Sequence, residues 1–243
     1  MKGYRRRIKK DPRGKHLLKV LRAGGLFRWE RPPSKSESVL NILTHGIGIG
    51  LAIAALCILV CFAAIYGDAW GIVSTSVFGA TMFVLYFGST MCHAMAGQKY
   101  DSFFEVWDSI AIYALIAGTY TPFLLINLRG ATGWTVFGIL WAVVLFGAFM
   151  KIRSPHYQPK WIVLLYLLMG WALLFILPAM INAVSARGLA FALAGGLSYS
   201  VGVLFYLWRR LKFSHTVWHL FVIGGSVLFF FAVLYGCILD YAA

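Results

Sequence analysis

Seven apolar runs follow one another along most of this chain, and each is long enough to cross a lipid bilayer as a helix. Short polar or Gly/Pro-containing breaks such as Gly67-Asp68 and Ser154-Pro155 separate them. The chain is 60% hydrophobic and 12% charged, which gives more apolar surface than a soluble domain can bury. Since a membrane-spanning helix needs about 20 apolar residues, we predict an all-α, seven-helix integral membrane bundle. Its predicted spans are 41–66, 70–92, 109–128, 132–150, 161–183, 188–208 and 216–239.

The first 36 residues have a different character. They contain 13 of the 22 Lys and Arg residues in a chain whose net charge is +14. We expect residues 1–36 to form a poorly ordered cytoplasmic tail that is attracted to anionic lipid headgroups. Nucleic acid is not an expected partner, because these residues form no folded basic domain. Residues 37–243 then form the membrane domain, and Ser34 with Glu37 has the capping-box spacing that begins a helix.

Basic residues are divided unequally between the two sides of the predicted bundle. The N-terminal segment and the loops after spans two, four and six carry 20 of them, with Lys151 assigned to the loop after span four. The opposite side carries only Arg129 and Arg187. Because Lys and Arg concentrate on the cytoplasmic side, we predict a cytoplasmic N-terminus and an external C-terminus. The protein is expected to be a multi-pass protein of the plasma membrane, the inner membrane in a bacterium. The sequence defines no oligomeric state.

Three histidines are expected at one depth, on the cytoplasmic side. His93 ends the second span, whereas His215 and His219 begin the seventh. The i and i+4 spacing of the latter pair places both imidazoles on one helical face, one turn apart, as in helices that supply two metal ligands. Catalytic zinc commonly takes three protein ligands and keeps one position open. We therefore interpret the three imidazoles as a zinc site, although paired histidines also cap helices or bond to neighbours.

Asp108 and Ser89 are candidate catalytic residues at the same depth. Asp108, at the predicted start of the third helix, could orient or deprotonate a water molecule at the zinc. Ser89 lies four residues before His93 and shares its helical face, so it could hydrogen-bond the substrate or the aspartate. Two simpler interpretations stay open: Asp108 as the N-cap of helix three, and Ser89 bonded back to its own helix.

One further histidine, His45, falls near the predicted start of the first helix. It could complete a polar network with Asn41 and Thr44, which precede it by four residues and one residue. The alternative is that its ring takes part in helix packing. We assign it no metal-binding role.

Four stretches of the chain, in order on the predicted helices, carry a family resemblance: 37–46, 89–93, 108–123 and 215–221. They begin with Glu37, Ser89, Asp108 and His215, and together they resemble the hemolysin III family, which belongs with the progestin and adiponectin Q receptors. The resemblance extends from about residue 36 to the end of the chain. Only the basic tail lies outside it.

This resemblance implies a seven-helix fold with a cytoplasmic N-terminus and zinc held by His93, His215 and His219. It also implies a water-mediated role for Asp108, with Ser89 close by. The related adiponectin receptors and alkaline ceramidases imply hydrolysis of a lipid amide such as ceramide. Many bacterial members have tyrosine and histidine at the positions of Cys92 and Ser109; neither change removes a predicted ligand.

The leading hypothesis is a zinc-dependent hydrolase that acts on an amide or ester of a membrane lipid at the cytoplasmic leaflet. Two other classes stay open: a membrane-active cytolysin, as the name hemolysin implies, and a receptor or regulator of membrane lipid state whose zinc is structural. So few charges within the spans argue against a wide water-filled pore. A retinal protein is excluded, because the seventh run has no lysine to form a Schiff base.

Overall fold

The computed structural model describes residues 33–155, 160–208 and 210–241 of the chain. The predicted basic tail therefore lies outside the described residues up to residue 32. The described part contains seven helices long and apolar enough to cross a membrane, which confirms the predicted number of spans. They are α1 Lys35–Tyr66, α2 Ala69–Ala94, α3 Asp101–Asn127, α4 Ala131–Arg153, α5 Trp161–Ala183, α6 Ala186–Leu207 and α7 Ser214–Leu239.

The beginnings of α1 and α2 are fixed by side chains that bind exposed backbone N–H groups. The Ser34 hydroxyl accepts from the backbone N–H of Glu37 at 3.3 Å, and the Glu37 carboxylate accepts from the backbone N–H of Ser34 at 2.8 Å. This is the predicted capping box. At α2, the carboxylate of Asp68 accepts from the N–H of Gly71 at 2.9 Å. The break at Gly67-Asp68 is thus a stable helix boundary.

Three of the spans change their helical geometry along their length. α3 continues beyond Pro122 as a π-helix over Phe123–Asn127, and α7 ends in a second π-helix over Leu234–Leu239. The helix that contains α5 begins at Lys160 and is α-helical only to Gly170, after which Ala172–Ile176 form a 3-10 turn. These irregular turns release backbone groups that other side chains bind. The Asn127 amide, for example, donates to the carbonyls of Ala183 and Gly236.

The helices pack in a ring that the first and last spans close. α1 packs against α2 and α7, α2 against α3, and α6 against α7, whereas α5 contacts mainly α3. α6 and α7 approach closely at Gly188 and Gly236, where a Cβ on either glycine would meet the other's backbone. The contact of α1 with α7 brings together residues that are far apart in the sequence.

The outer surface of the ring is apolar. Leu145 on α4 is 71% exposed and Phe175 on α5 is 86% exposed. Side chains of this kind are stable on a surface that faces lipid hydrocarbon rather than water. With seven spans, the protein is a multi-pass integral membrane protein.

Two sequence-based assignments at the helix ends are wrong. α3 begins at Asp101, about two turns before the predicted start, and Asp108 therefore lies inside the helix and is not its N-cap. The early turns carry Asp101, Glu105 and Asp108 at spacings of four and three residues, so they are amphipathic and escape a search for apolar runs. Lys151 lies in the last turn of α4, not in the following loop, because its buried amine pairs with Glu105.

Candidate metal centre

The three histidines predicted as ligands meet at one end of the bundle. His93 occupies the last turn of α2, and His215 and His219 occupy the first two turns of α7. One ring nitrogen from each residue lies within 4.8 Å of the others, so the three can hold a metal ion. The Nε2 atoms of His93 and His215 are 3.1 Å apart. Two helices that are remote in sequence therefore supply one compact group of nitrogen donors.

His219 is the most enclosed of the three, with 1% of its surface exposed. The ring of His45 from α1 stacks on it, with centroids 3.5 Å apart. The hydroxyl of Thr44 lies 3.0 Å from its Nδ1 atom. The sequence suggested a polar network among Asn41, Thr44 and His45, but these side chains contact α7. Thr44 and His45 contact His219, and Asn41 binds Thr216. Sequence spacing alone does not reveal these contacts, because they depend on how α1 packs against α7.

Asp108 on α3 and Ser89 on α2 are also brought together. The Ser89 hydroxyl lies near enough to the Asp108 carboxylate to interact with it. Both side chains face the same cavity as the three imidazoles. The carboxylate therefore has a hydroxyl of a neighbouring helix beside it on the cavity wall.

A buried ion pair beside Asp108 was missed by the sequence analysis. The Lys151 amine on α4 lies 3.5 Å from a carboxylate oxygen of Glu105 on α3, and the Lys151 side chain is only 3% exposed. A buried lysine is costly unless a carboxylate is near. The spacing of Asp101, Glu105 and Asp108 on one helical face was the available signal, since it predicts a polar face directed into the bundle.

The three imidazoles, Ser89, Asp108 and the Lys151–Glu105 pair line one cavity of about 490 Å³. Its polar end holds the imidazoles, the carboxylates and Lys151, whereas its other walls include apolar and aromatic side chains such as Leu115, Trp171 and Phe229. Ligand pockets commonly measure roughly 300–1,000 Å³ and have mainly apolar walls with a few polar groups. The arrangement suits a ligand with a long apolar part and one polar group.

Sequence comparison places the chain among known proteins. Residues 34–230 match the family described as Haemolysin-III related. The match includes all of α1 to α6 and the first part of α7, with every residue of the group described above. It leaves out residues 1–33, which are most of the basic tail.

Individual relatives agree with this match. The chain is 44% identical over 199 residues to "Hemolysin-3" of Bacillus cereus, covering 82% of this chain and 91% of the relative. It is 43% identical over 205 residues to "Hemolysin-3 homolog" of Bacillus subtilis, covering 83% and 95%. The human "Monocyte to macrophage differentiation factor" is 29% identical over 210 residues, covering 83% and 84%. No solved structure matches. From the family match and these relatives, we conclude that the chain belongs to the Haemolysin-III related family of membrane proteins.

Proposed function

We propose that the protein is a zinc-dependent hydrolase that cleaves an amide or ester bond of a membrane lipid. The observation that carries the proposal is the meeting of three imidazoles with the Asp108 carboxylate on the wall of one largely apolar cavity. His93, His215 and His219 would hold the zinc. Membrane lipids are the proposed substrates, and anionic headgroups the proposed contact of the basic tail.

The donor set fits zinc. Imidazole is a usual zinc ligand, and three protein ligands are typical of catalytic sites. Nitrogen ligands around a tetrahedral zinc lie roughly 3.3 Å apart, and the Nε2 atoms of His93 and His215 are 3.1 Å apart. Metal analysis distinguishes a shared ion from an N–H···N hydrogen bond at this distance.

Charge on the cavity wall also favours a cation. The described lining carries four carboxylates, those of Glu37, Asp101, Glu105 and Asp108, but one lysine, Lys151. A confined cavity with an excess of negative charge attracts cations and raises their local concentration. Neutral imidazoles beside these carboxylates therefore suit a divalent ion.

In the proposed reaction, zinc would polarise the lipid carbonyl and lower the pKa of an attacking water molecule. The Asp108 carboxylate accepts a proton from this water as the water oxygen bonds to the carbonyl carbon. Asp108 then returns the proton to the leaving nitrogen or oxygen as the C–N or C–O bond breaks, giving a fatty acid and an amine or alcohol. Ser89, whose hydroxyl lies beside the Asp108 carboxylate, would orient it. The apolar walls hold the acyl chain and exclude bulk water.

Elemental analysis of detergent-purified protein tests the metal. We expect about one zinc per chain, and its loss in His219→Ala but not in His156→Ala, a control outside the proposed ligands. Absence of zinc from the wild type after zinc is supplied would exclude this function.

Hydrolysis of a panel of lipid amides and esters tests the chemistry. Asp108→Asn should keep its zinc and lose turnover by about 100-fold or more, because the proton acceptor is removed. A zinc-loaded wild type that cleaves none of these lipids would instead favour a regulator with structural zinc.

Membrane lysis is a second candidate, favoured by the name "Hemolysin-3" of the Bacillus cereus relative. The few charged residues of the described spans lie near helix ends, whereas a water-filled pore needs polar groups across the bilayer. Release of small markers from vesicles that contain the protein, unchanged by chelators, would support lysis over hydrolysis.

A further inference from the structure

The first helix presents a row of polar side chains to the beginning of α7. The Glu37 carboxylate accepts from the backbone N–H of Phe213 at 2.8 Å, and the Asn41 amide oxygen accepts from the Thr216 hydroxyl at 2.6 Å. Phe213, the residue before α7, has a φ of 59°, a left-handed conformation that is unfavourable for a bulky side chain. These contacts fix the depth and rotation of the helix that carries His215 and His219.

Thr44 continues this row and reaches a proposed ligand. Its hydroxyl oxygen lies 3.0 Å from Nδ1 of His219. The same hydroxyl donates its single proton to the backbone carbonyl of Leu40 at 2.8 Å, shared with that of Asn41 at 3.1 Å. Because a hydroxyl has one proton, a Thr44 that donates to these carbonyls accepts a hydrogen bond from Nδ1–H of His219.

A neutral imidazole carries one hydrogen on its two ring nitrogens. With that hydrogen on Nδ1, the other nitrogen, Nε2, has a free lone pair.

We propose that Thr44 is a positioning residue for the metal centre, since it holds His219 in the Nδ1–H tautomer and leaves Nε2 free to bind the ion. This rests on the proposed function in that His219 is a ligand of the zinc. Free neutral histidine prefers its proton on Nε2, where it would block binding. Outer hydrogen bonds of this kind fix the tautomer and orientation of a metal ligand.

Stacking by His45 completes the positioning. Its ring lies against the face of His219 with an interplanar angle of 16°. The hydrogen bond therefore sets which nitrogen is free, and the stacked ring limits rotation. The sequence Thr44-His45 thus places two different restraints on one proposed ligand.

Zinc affinity, measured by competition with a chelator in detergent, tests the role of Thr44. Removing an outer hydrogen bond typically weakens metal binding by roughly 10–100-fold. We expect about a tenfold loss in Thr44→Val, because the acceptor for Nδ1–H is removed, and recovery in Thr44→Ser. Thr75→Val is the matched control, since Thr75 is a buried α2 threonine that donates to its own helix at Gly71.

The nitrogen NMR spectrum of metal-free, ¹⁵N-histidine-labelled protein gives a readout that needs no zinc. We expect His219, assigned by its absence in His219→Ala, to be neutral with its proton on Nδ1. A proton on Nε2 would overturn the inference, as would equal zinc affinity of Thr44→Val and wild type. Failure of the wild type to bind zinc would instead contradict the proposed function, while the tautomer would still decide the hydrogen-bonding role.

Discussion

The imidazole of His45 on α1 lies flat on that of His219 on α7, with ring centroids 3.5 Å apart and planes inclined by 16°. Its other aromatic neighbour is Tyr86, edge-on at 5.1 Å. Within the described residues, neither nitrogen of His45 has a hydrogen-bond partner. His45 therefore acts on its neighbour through the face of its ring.

His45→Phe and His45→Ala should differ in zinc affinity and stability, because only phenylalanine keeps a flat ring against His219. His45 is one of the residues that line the cavity. We expect His45→Phe to keep zinc affinity close to that of the wild type, and His45→Ala to lose affinity and roughly 2 kcal/mol of stability. Chelator competition and thermal unfolding measure these effects. Equal loss of affinity in both variants would show that a nitrogen of His45 is required.

The buried ion pair of Lys151 and Glu105 should respond unequally to removal of either partner. Glu105→Gln leaves the 3%-exposed Lys151 side chain without its nearest carboxylate, whereas Lys151→Met leaves Glu105, which is 34% exposed. Removing one partner of a buried pair can cost roughly 3 kcal/mol or more. We expect Glu105→Gln to lower the melting temperature more than Lys151→Met, and the double variant to regain much of the loss. Additive losses would mean that the two residues do not interact.

Close packing of α6 and α7 should make Gly188 intolerant of a methyl group. A Cβ at this position meets the backbone of Gly236, which cannot rotate away as a side chain could. We expect Gly188→Ala to destabilise the protein by about 1–3 kcal/mol. Gly138→Ala is the control, since a Cβ there meets nothing within 4 Å and alanine favours the helix. Equal melting temperatures of the two variants would contradict this packing.

The cap of α2 should give a small pH dependence of stability. The N–H of Gly71, and secondarily the Arg129 guanidinium 3.2 Å away, hold the pKa of the exposed Asp68 carboxyl below its usual value. A lowered folded-state pKa gives stability that is present at neutral pH and lost as the pH falls below about 4. We expect the melting temperature of the wild type to exceed that of Asp68→Asn at neutral pH. We expect this difference to disappear in acid. A constant difference across the pH series would exclude the charge as its source.

Much of the fold follows from the sequence because lipid imposes a simple rule on helix length and polarity. The break at Gly67-Asp68 was predicted correctly, since a cap and a glycine interrupt two apolar runs. The start of α3 was not, because Asp101 and Glu105 are charged yet face the interior of the bundle. Hydropathy averages over a helix and cannot tell which side of it faces a polar cavity.

Only part of the candidate site was predicted, because the sequence does not show which helix faces meet. His93 and His219 could be placed at one depth from the order of the spans alone. Their contacts with other helices could not, because a contact such as Thr44 with His219 depends on which faces of α1 and α7 meet. Lys151 was assigned to a loop because a lysine at a helix end usually lies in water. Its burial depends on a carboxylate from another helix.

The candidate metal centre draws its three imidazoles from α2 and α7, and this fixes when such a site can form during synthesis. His93 is made 122 residues before His215. At roughly 5–20 residues per second, this separation corresponds to a delay of roughly 6–24 seconds on the ribosome. A chain whose synthesis stops before α7 contains only His93 of the three imidazoles. Its α1 also lacks α7, the helix that closes the bundle beside it. Tight metal binding would therefore distinguish fully translated and inserted molecules from incomplete ones.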